Sequence, residues 1–369
     1  MTTPEPLQQV NRTWVRCQGR TLSYFSGCDY FRLASHPAVL KAAHDGLKKF
    51  GLNVSASRMT TGNHPLYPAL EKALADFFDA KDALLVASGY ATGLIVAQAL
   101  AGEFSHALLG TRAHPALLDA ANLLGCPVLK FQQHDPDDFA RTLARCGRAA
   151  RPIVLTDGMF SHDGSVAPLK TYLKHLPKDG LILVDDAHGA GVLGRTGQGS
   201  LEAEGVGRRR IVQGVTLSKA FGAYGGAILA TRALREKILA RSRMFTGSTP
   251  LPLPLAGAAL QAAKILRADK SLRRRLFQNA AYVKSALHRA GWEIPETPGP
   301  VVPLHLPGAT EVETLRRRLL AAKIYPPFIK YPGGPADGYF RFVFSSEHSR
   351  AQLDNLLEVL IRTLSARGE

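Results

Sequence analysis

The 369-residue chain carries 46 Lys and Arg against 30 Asp and Glu, a net charge of +16, with 46% hydrophobic and 21% charged residues. Those proportions exclude a disordered chain, and four cysteines without a CxxC pair exclude a disulfide scaffold and argue against a structural zinc site. No uncharged apolar run nears the roughly 18–20 residues of a spanning helix, and the opening MTTPEPLQQVNRTW lacks a basic start before an apolar run, so the expectation is a cytoplasmic protein with no membrane partner.

Residues 1–40 read as an N-terminal arm. A large α/β domain follows over 41–247, in which short apolar runs alternate with longer amphipathic ones. The predicted strands are ALLVAS (83–88), HALLG (106–110), PVLKF (127–131), PIVLTDG (152–158), GLILVDD (180–186), RIVQGVT (210–216) and GAILAT (226–231). Helical patterns such as PLYPALEKALADFF (65–78) and ATGLIVAQALAG (91–102) lie between them. Near-continuous apolar strands separated by helices predict a mostly parallel seven-stranded sheet with helices on both faces. The Pro-rich STPLPLPL (248–255) breaks the pattern and opens a smaller α+β C-terminal domain over 248–369. That domain holds three long helical patterns, VVPLHLP, YFRFVFS and a Pro/Gly loop over 325–335.

In such sheets ligands bind beyond the carboxyl ends of the strands, so the residues after each strand are the candidates for chemistry. Asp185-Asp186-Ala187-His188 follows one strand, and a carboxylate there needs a partner: a cap, a salt bridge, a protonated ring nitrogen or a metal. Thr216-Leu217-Ser218-Lys219 follows another and precedes the glycine loop AFGAYGG, a setting in which a lysine serves as a Schiff-base nucleophile or as an ordinary surface charge. Ser88-Gly89-Tyr90 opens a helix, which suits either a phosphate or a plain N-cap. Thr156-Asp157-Gly158-Met159-Phe160-Ser161 ends a fourth strand. Gly189, Gly191 and Gly194 match a GxGxxG spacing, but the segment runs on into RTGQGS instead of opening a helix, so a dinucleotide loop is not expected.

The basic residues form runs at 208–210, 273–275 and 316–318. The last two fall opposite the leucines of helical patterns, which reads as solvated helix faces, and no nucleic-acid partner is expected.

The blocks VDDAHGAGVLGRTGQGS, TDGMFSHDGSVAPL and TLSKAFGAYGG together resemble the α-oxoamine synthase family of fold-type I pyridoxal-phosphate enzymes, over nearly the whole chain from about residue 26 to 360. The resemblance implies pyridoxal 5′-phosphate as cofactor and no metal. It implies that Lys219 bonds the cofactor and then acts as the proton-transfer base, that Asp185 pairs with the pyridinium nitrogen, and that His188 and Ser161 lie near the ring's phenolic oxygen. His114 matches the ring-stacking histidine, and Ser88, Gly89, Tyr90 and Thr216 match the phosphate contacts. Ser248 and Thr249 match a segment that reaches the phosphate from a second subunit, which implies a homodimer with a shared active site. Arg341 matches the arginine that grips the substrate carboxylate, and Cys28 stands where the family usually has Asn.

The implied reaction is the decarboxylative condensation of an amino acid with an acyl-CoA or acyl-carrier thioester to an α-amino ketone. Chain length and wording favour the branch that joins alanine to a dicarboxylate-derived acyl group and serves biotin biosynthesis. Cys28, and Ala113 in the family's usual Asn-His-Ala-Ser block, favour another amino acid or acyl group on the same machinery. A fold-type I aminotransferase or lyase, and a basic scaffold that binds nucleic acid, are the remaining alternatives.

Overall fold

A computed structural model describes residues 5–330 and 334–365, so positions 331–333 of the Pro/Gly loop lie outside the described residues. The chain forms two compact units: Met1–His36 with Ser161–Ser165 and Lys270–Glu369, and Pro37–Phe160 with Val166–Asp269.

The smaller unit begins with a three-stranded antiparallel meander, β1 (Gln8–Asn11), β2 (Trp14–Cys17) and β3 (Arg20–Ser23). Sequence reading left this stretch as an arm, because its strands are four residues long and β1 is wholly exposed. The Gln18-Gly19 turn, with φ of 47° and 75°, is the tight two-residue connection that such a hairpin needs.

The larger unit carries β4 (Asp82–Val86), β5 (His106–Gly110), β6 (Val128–Phe131), β7 (Pro152–Asp157), β8 (Leu181–Asp185), β9 (Ile211–Thr216) and β10 (Gly226–Ala230). They form one sheet in the order β4-β10-β9-β8-β7-β5-β6, parallel except for β10, which runs antiparallel between β4 and β9. Most were legible because both faces of the sheet's interior strands are buried. Leu109, Ile153, Leu155 and Leu183 pack on one face with Ile95, Val96, Leu117 and Ile238. Leu108, Val154, Ile182 and Val184 pack on the other with Phe139, Tyr172 and Leu201. Each such side chain contributes about 1.5–3 kcal/mol on burial.

The helix Leu253–Ala268 belongs with the larger unit. There a Cβ on its Gly257 would lie 3.1 Å from Ala42 O, and Tyr67 Oη donates to Leu251 O at 2.7 Å. The units therefore part at 269/270 instead of at the Pro-rich stretch, since proline and small residues let this helix lie close on its neighbours. The smaller unit continues through the helices Lys270–Arg289, Ala309–Ala321 and Arg350–Ser365. It closes with the antiparallel sheet β11 (Val301–Leu304), β12 (Phe328–Ile329) and β13 (Tyr339–Val343), with β13 central.

Several arginines of the 208–210 and 273–275 runs are tied to the fold. Arg210 donates to Leu173 O, Leu176 O and Pro177 O, capping the helix Leu169–His175. Arg208 donates to Phe78 O and Gln213 Oε1, Arg273 is buried, and Arg275 pairs with Glu347 at 3.1 Å. Much of the positive charge is thus tied to carbonyls and carboxylates of the fold itself. Among the described residues no helix is long and apolar enough to cross a membrane.

Candidate active site

Parallel order brings the C-terminal ends of β4, β5, β7, β8 and β9 to one edge of the sheet, together with the start of the antiparallel β10. At that edge lie Ser88, Gly89, His114, Asp157, Asp185, His188, Thr216 and Lys219. Sequence reading singled out each of their segments, and the fold gathers them because β7, β8 and β9 are in direct register, with Asp157 opposite Asp185 and Asp185 opposite Gly214.

Two of the expected residues are in direct contact: Lys219 Nζ lies 2.7 Å from His188 Nε2. One of these nitrogens must lack a proton along that bond, so the pair holds either a neutral amine or an imidazole acceptor. His188 is buried, and Lys219 is partly exposed. Asp185 is partly exposed, with Oδ1 accepting from Ala187 N at 3.1 Å. That bond fixes the carboxylate to the turn that carries His188.

Ser88 has extended backbone and caps the helix Gly89–Ala99, its Oγ accepting from Ala91 N at 3.3 Å. A Cβ at Gly89 would lie 2.6 Å from Thr216 Cβ, so only glycine lets the helix N-terminus press against Thr216. The positive end of the helix dipole then lies beside two hydroxyls, since Thr216 Oγ1 is 2.7 Å from Ser218 Oγ. Ser248 and Thr249 line a small cavity with Ala87, Ala91 and Arg58 of the same chain, and Ser248 Oγ donates to Met244 O.

His114 caps the helix Pro115–Leu123, its Nδ1 accepting from Ala116 N at 3.2 Å. Burial foremost, then the neighbouring Lys219 charge, hold its pKa below the usual imidazole value, while Asp185 pulls the other way. Tyr90 meets the His114 ring edge-on at 6.0 Å and donates through Oη to Asp119.

Asp186 was legible as one of a pair but its task was not. It is fully buried, its Oδ2 accepting from Ser200 N at 2.8 Å and Gln213 Nε2 at 2.6 Å, and burial pushes its carboxyl up to about 7. Gly158, Gly189 and Gly199 surround it, so the glycine pattern of this region serves a buried carboxyl. Gly199→Ala combines a φ of +91° with a Cβ 2.0 Å from Asp186 Oδ2, and its unfolding free energy is expected to fall by at least about 2 kcal/mol. Urea unfolding checks this: an unchanged midpoint would contradict the cradle.

The remaining predicted residues lie in the smaller unit. Arg341 donates from Nη1 to Ser161 O at 3.4 Å. Tyr30 is fully buried, and burial first, then the neighbouring Cys28, push its phenol well above the usual value, against the opposing pull of Arg341. Cys28, Tyr30 and Arg341 thus form one cluster. Among the described residues no three His, Cys, Asp or Glu side chains gather as a metal-ligand set.

The family model for class I and II aminotransferases matches residues 28–360. An 8-amino-7-oxononanoate synthase of Thioalkalivibrio sulfidiphilus is 35% identical over 94% of this chain and 89% of its own. One of Anaeromyxobacter sp. strain K is 35% identical over 98% and 91%. Among solved structures, the Sphingomonas wittichii serine palmitoyltransferase superposes with a TM-score of 0.90 at 25% identity, covering 98% of this chain and 92% of that one. The S. paucimobilis serine palmitoyltransferase, solved with bound PLP and myriocin, gives 0.90 and 25% over 98% and 93%.

Proposed function

The chain belongs to the class I and II aminotransferase family and, within it, to the α-oxoamine synthases, and on that footing we propose that it condenses alanine with a seven-carbon dicarboxylic acyl thioester. It is a pyridoxal-phosphate-dependent acyltransferase. The acyl length follows from the relatives' product name: 8-amino-7-oxononanoate has nine carbons, of which alanine supplies two after losing its carboxylate.

The observation that carries the reading is the Lys219–His188 contact with Asp185 at the same sheet edge. This donor set fits the cofactor: an amine for its aldehyde, a carboxylate for its ring nitrogen, an imidazole for its face, and a glycine-pressed helix N-terminus with two hydroxyls for its phosphate. When bound, the cofactor supplies an electron sink for the substrate's α-carbon. Lys219 would hold it covalently and would serve as the base that takes the substrate's α-proton. His188 takes up or returns the proton of the lysine amine. Asp185 would pair with the cofactor's ring nitrogen. Arg341 takes the substrate carboxylate with its planar fork. A new carbon–carbon bond then forms at the thioester carbonyl as the thiol leaves, and carbon dioxide departs from the former amino acid.

A cytoplasmic homodimer goes with this reading, Ser248 and Thr249 completing the partner's phosphate site. Its support in the fold is the exposure of Leu40, Leu47, Leu52 and Met59 at the start of the larger unit. Cys28 favours a second reading, the same condensation on another amino acid, because it stands beside Tyr30 and Arg341.

Alanine, glycine, serine and threonine added singly to the loaded enzyme distinguish the two. Alanine alone is expected to shift the cofactor absorbance and, with the seven-carbon thioester on CoA or on a carrier protein, to release thiol. A response confined to another amino acid would establish the second reading. No response to any would remove both.

A further inference from the structure

Asp157 and Asp185 are register partners across β7 and β8, so two carboxyls stand side by side at the sheet edge. They differ in surroundings: Asp157 is 7% exposed, whereas Asp185 is partly open. Asp157 Oδ2 accepts from the backbone N–H of His114 at 2.9 Å, the residue whose ring feels the charges of both Asp185 and Lys219. Its own main chain is fixed on both sides, with Thr156 Oγ1 donating to Asp157 O at 3.0 Å and Gly158 N donating to Asp185 O at 2.8 Å. The mechanism above gives this buried acid no task.

We propose that Asp157 is a positioning residue of the cofactor-ring site, a neutral carboxyl that seats His114 through its N–H and leaves the formal charge of the pair on Asp185. Two adjacent carboxyls cannot both ionise cheaply, and the more buried one takes the proton. Burial foremost and then the Asp185 charge push Asp157 up to about 8, while the His114 N–H and the Lys219 charge pull it down. The groups facing it are therefore Asp185 from β8, Lys219 after β9 and His114 at the head of its helix. The negative charge is kept where a ring nitrogen needs it, and the stacking imidazole is held at a fixed height over the edge. The inference rests on the pyridoxal-phosphate reading of this site.

Asp157→Asn preserves both the shape of the neutral acid and an acceptor for the His114 N–H, whereas Asp157→Ala removes both. Infrared difference spectra of the cofactor-free protein read the proton directly. The parent is expected to show a carboxylic-acid carbonyl band that titrates near pH 8 and is missing from Asp157→Asn. Titration with pyridoxal 5′-phosphate then reads the seating. Asp157→Asn is expected to retain the parent's affinity with a flatter pH dependence, and Asp157→Ala to lose about tenfold because the His114 N–H is left without its acceptor. Equal loss in both variants, or the same acid band at pH 7 in the parent and in Asp157→Asn, would overturn the proposal. A parent that shows the band but binds no pyridoxal 5′-phosphate would instead remove the functional reading and the ring-site role with it.

Discussion

Lys219→Ala is expected to take up pyridoxal 5′-phosphate without bonding to it and to lose activity by more than about 10³-fold, since it forfeits both the covalent tether and the proton-transfer base. Lys219 stands three residues beyond the end of β9, its Nζ 2.7 Å from His188 Nε2, and the helix Gly89–Ala99 points its N-terminus at the same edge. Borohydride reduction followed by peptide mapping checks it. The parent should carry a single pyridoxyl group on Lys219 and the variant none. A reducible bond to another lysine in the parent would displace Lys219 from its role.

Asp185→Ala should be the next most damaging change, lowering turnover by roughly 10²–10³-fold, the range seen when one preorganised electrostatic group is removed. Asp185 Oδ1 is tied to Ala187 N at 3.1 Å, which orients the carboxylate before any ligand arrives. Removing it leaves the ring nitrogen without a counter-charge and frees the turn that carries His188. Asp185→Asn keeps the Ala187 bond but not the charge, so the two variants separate the effects. If charge dominates, both lose turnover alike. If orientation dominates, Asn keeps most of it. Thermal unfolding of each variant guards against a simple loss of fold.

The sheet was legible from sequence because burial on both faces leaves apolar runs that no amphipathic helix would produce, and its edge was legible because Asp185 and Lys219 each follow such a run. The N-terminal meander was not, because β1 buries nothing and four-residue strands leave no periodicity to read. Asp157 lay in a segment singled out for chemistry, yet its pairing with Asp185 depends on the β7–β8 register, which spacing along the chain does not encode. Asp186 was likewise visible only as half of a pair. The three glycines that make room for its carboxyl come from separate turns, and one of them belongs to a spacing that mimics a dinucleotide loop. The arginine runs illustrate the same limit. Helical spacing puts 273–275 on a solvent face, yet Arg275 finds Glu347, and the 208–210 run, which has no such spacing, finds Phe78 O and Leu176 O, all distant in sequence.

The condensation itself is tested most directly by following the carboxyl carbon of labelled alanine in the presence of the seven-carbon dicarboxylic thioester. Labelled carbon dioxide should appear in step with free thiol and an α-amino ketone, one for one. Retention of the label in the product, or pyruvate formed without thiol release, would contradict a decarboxylative acyl transfer.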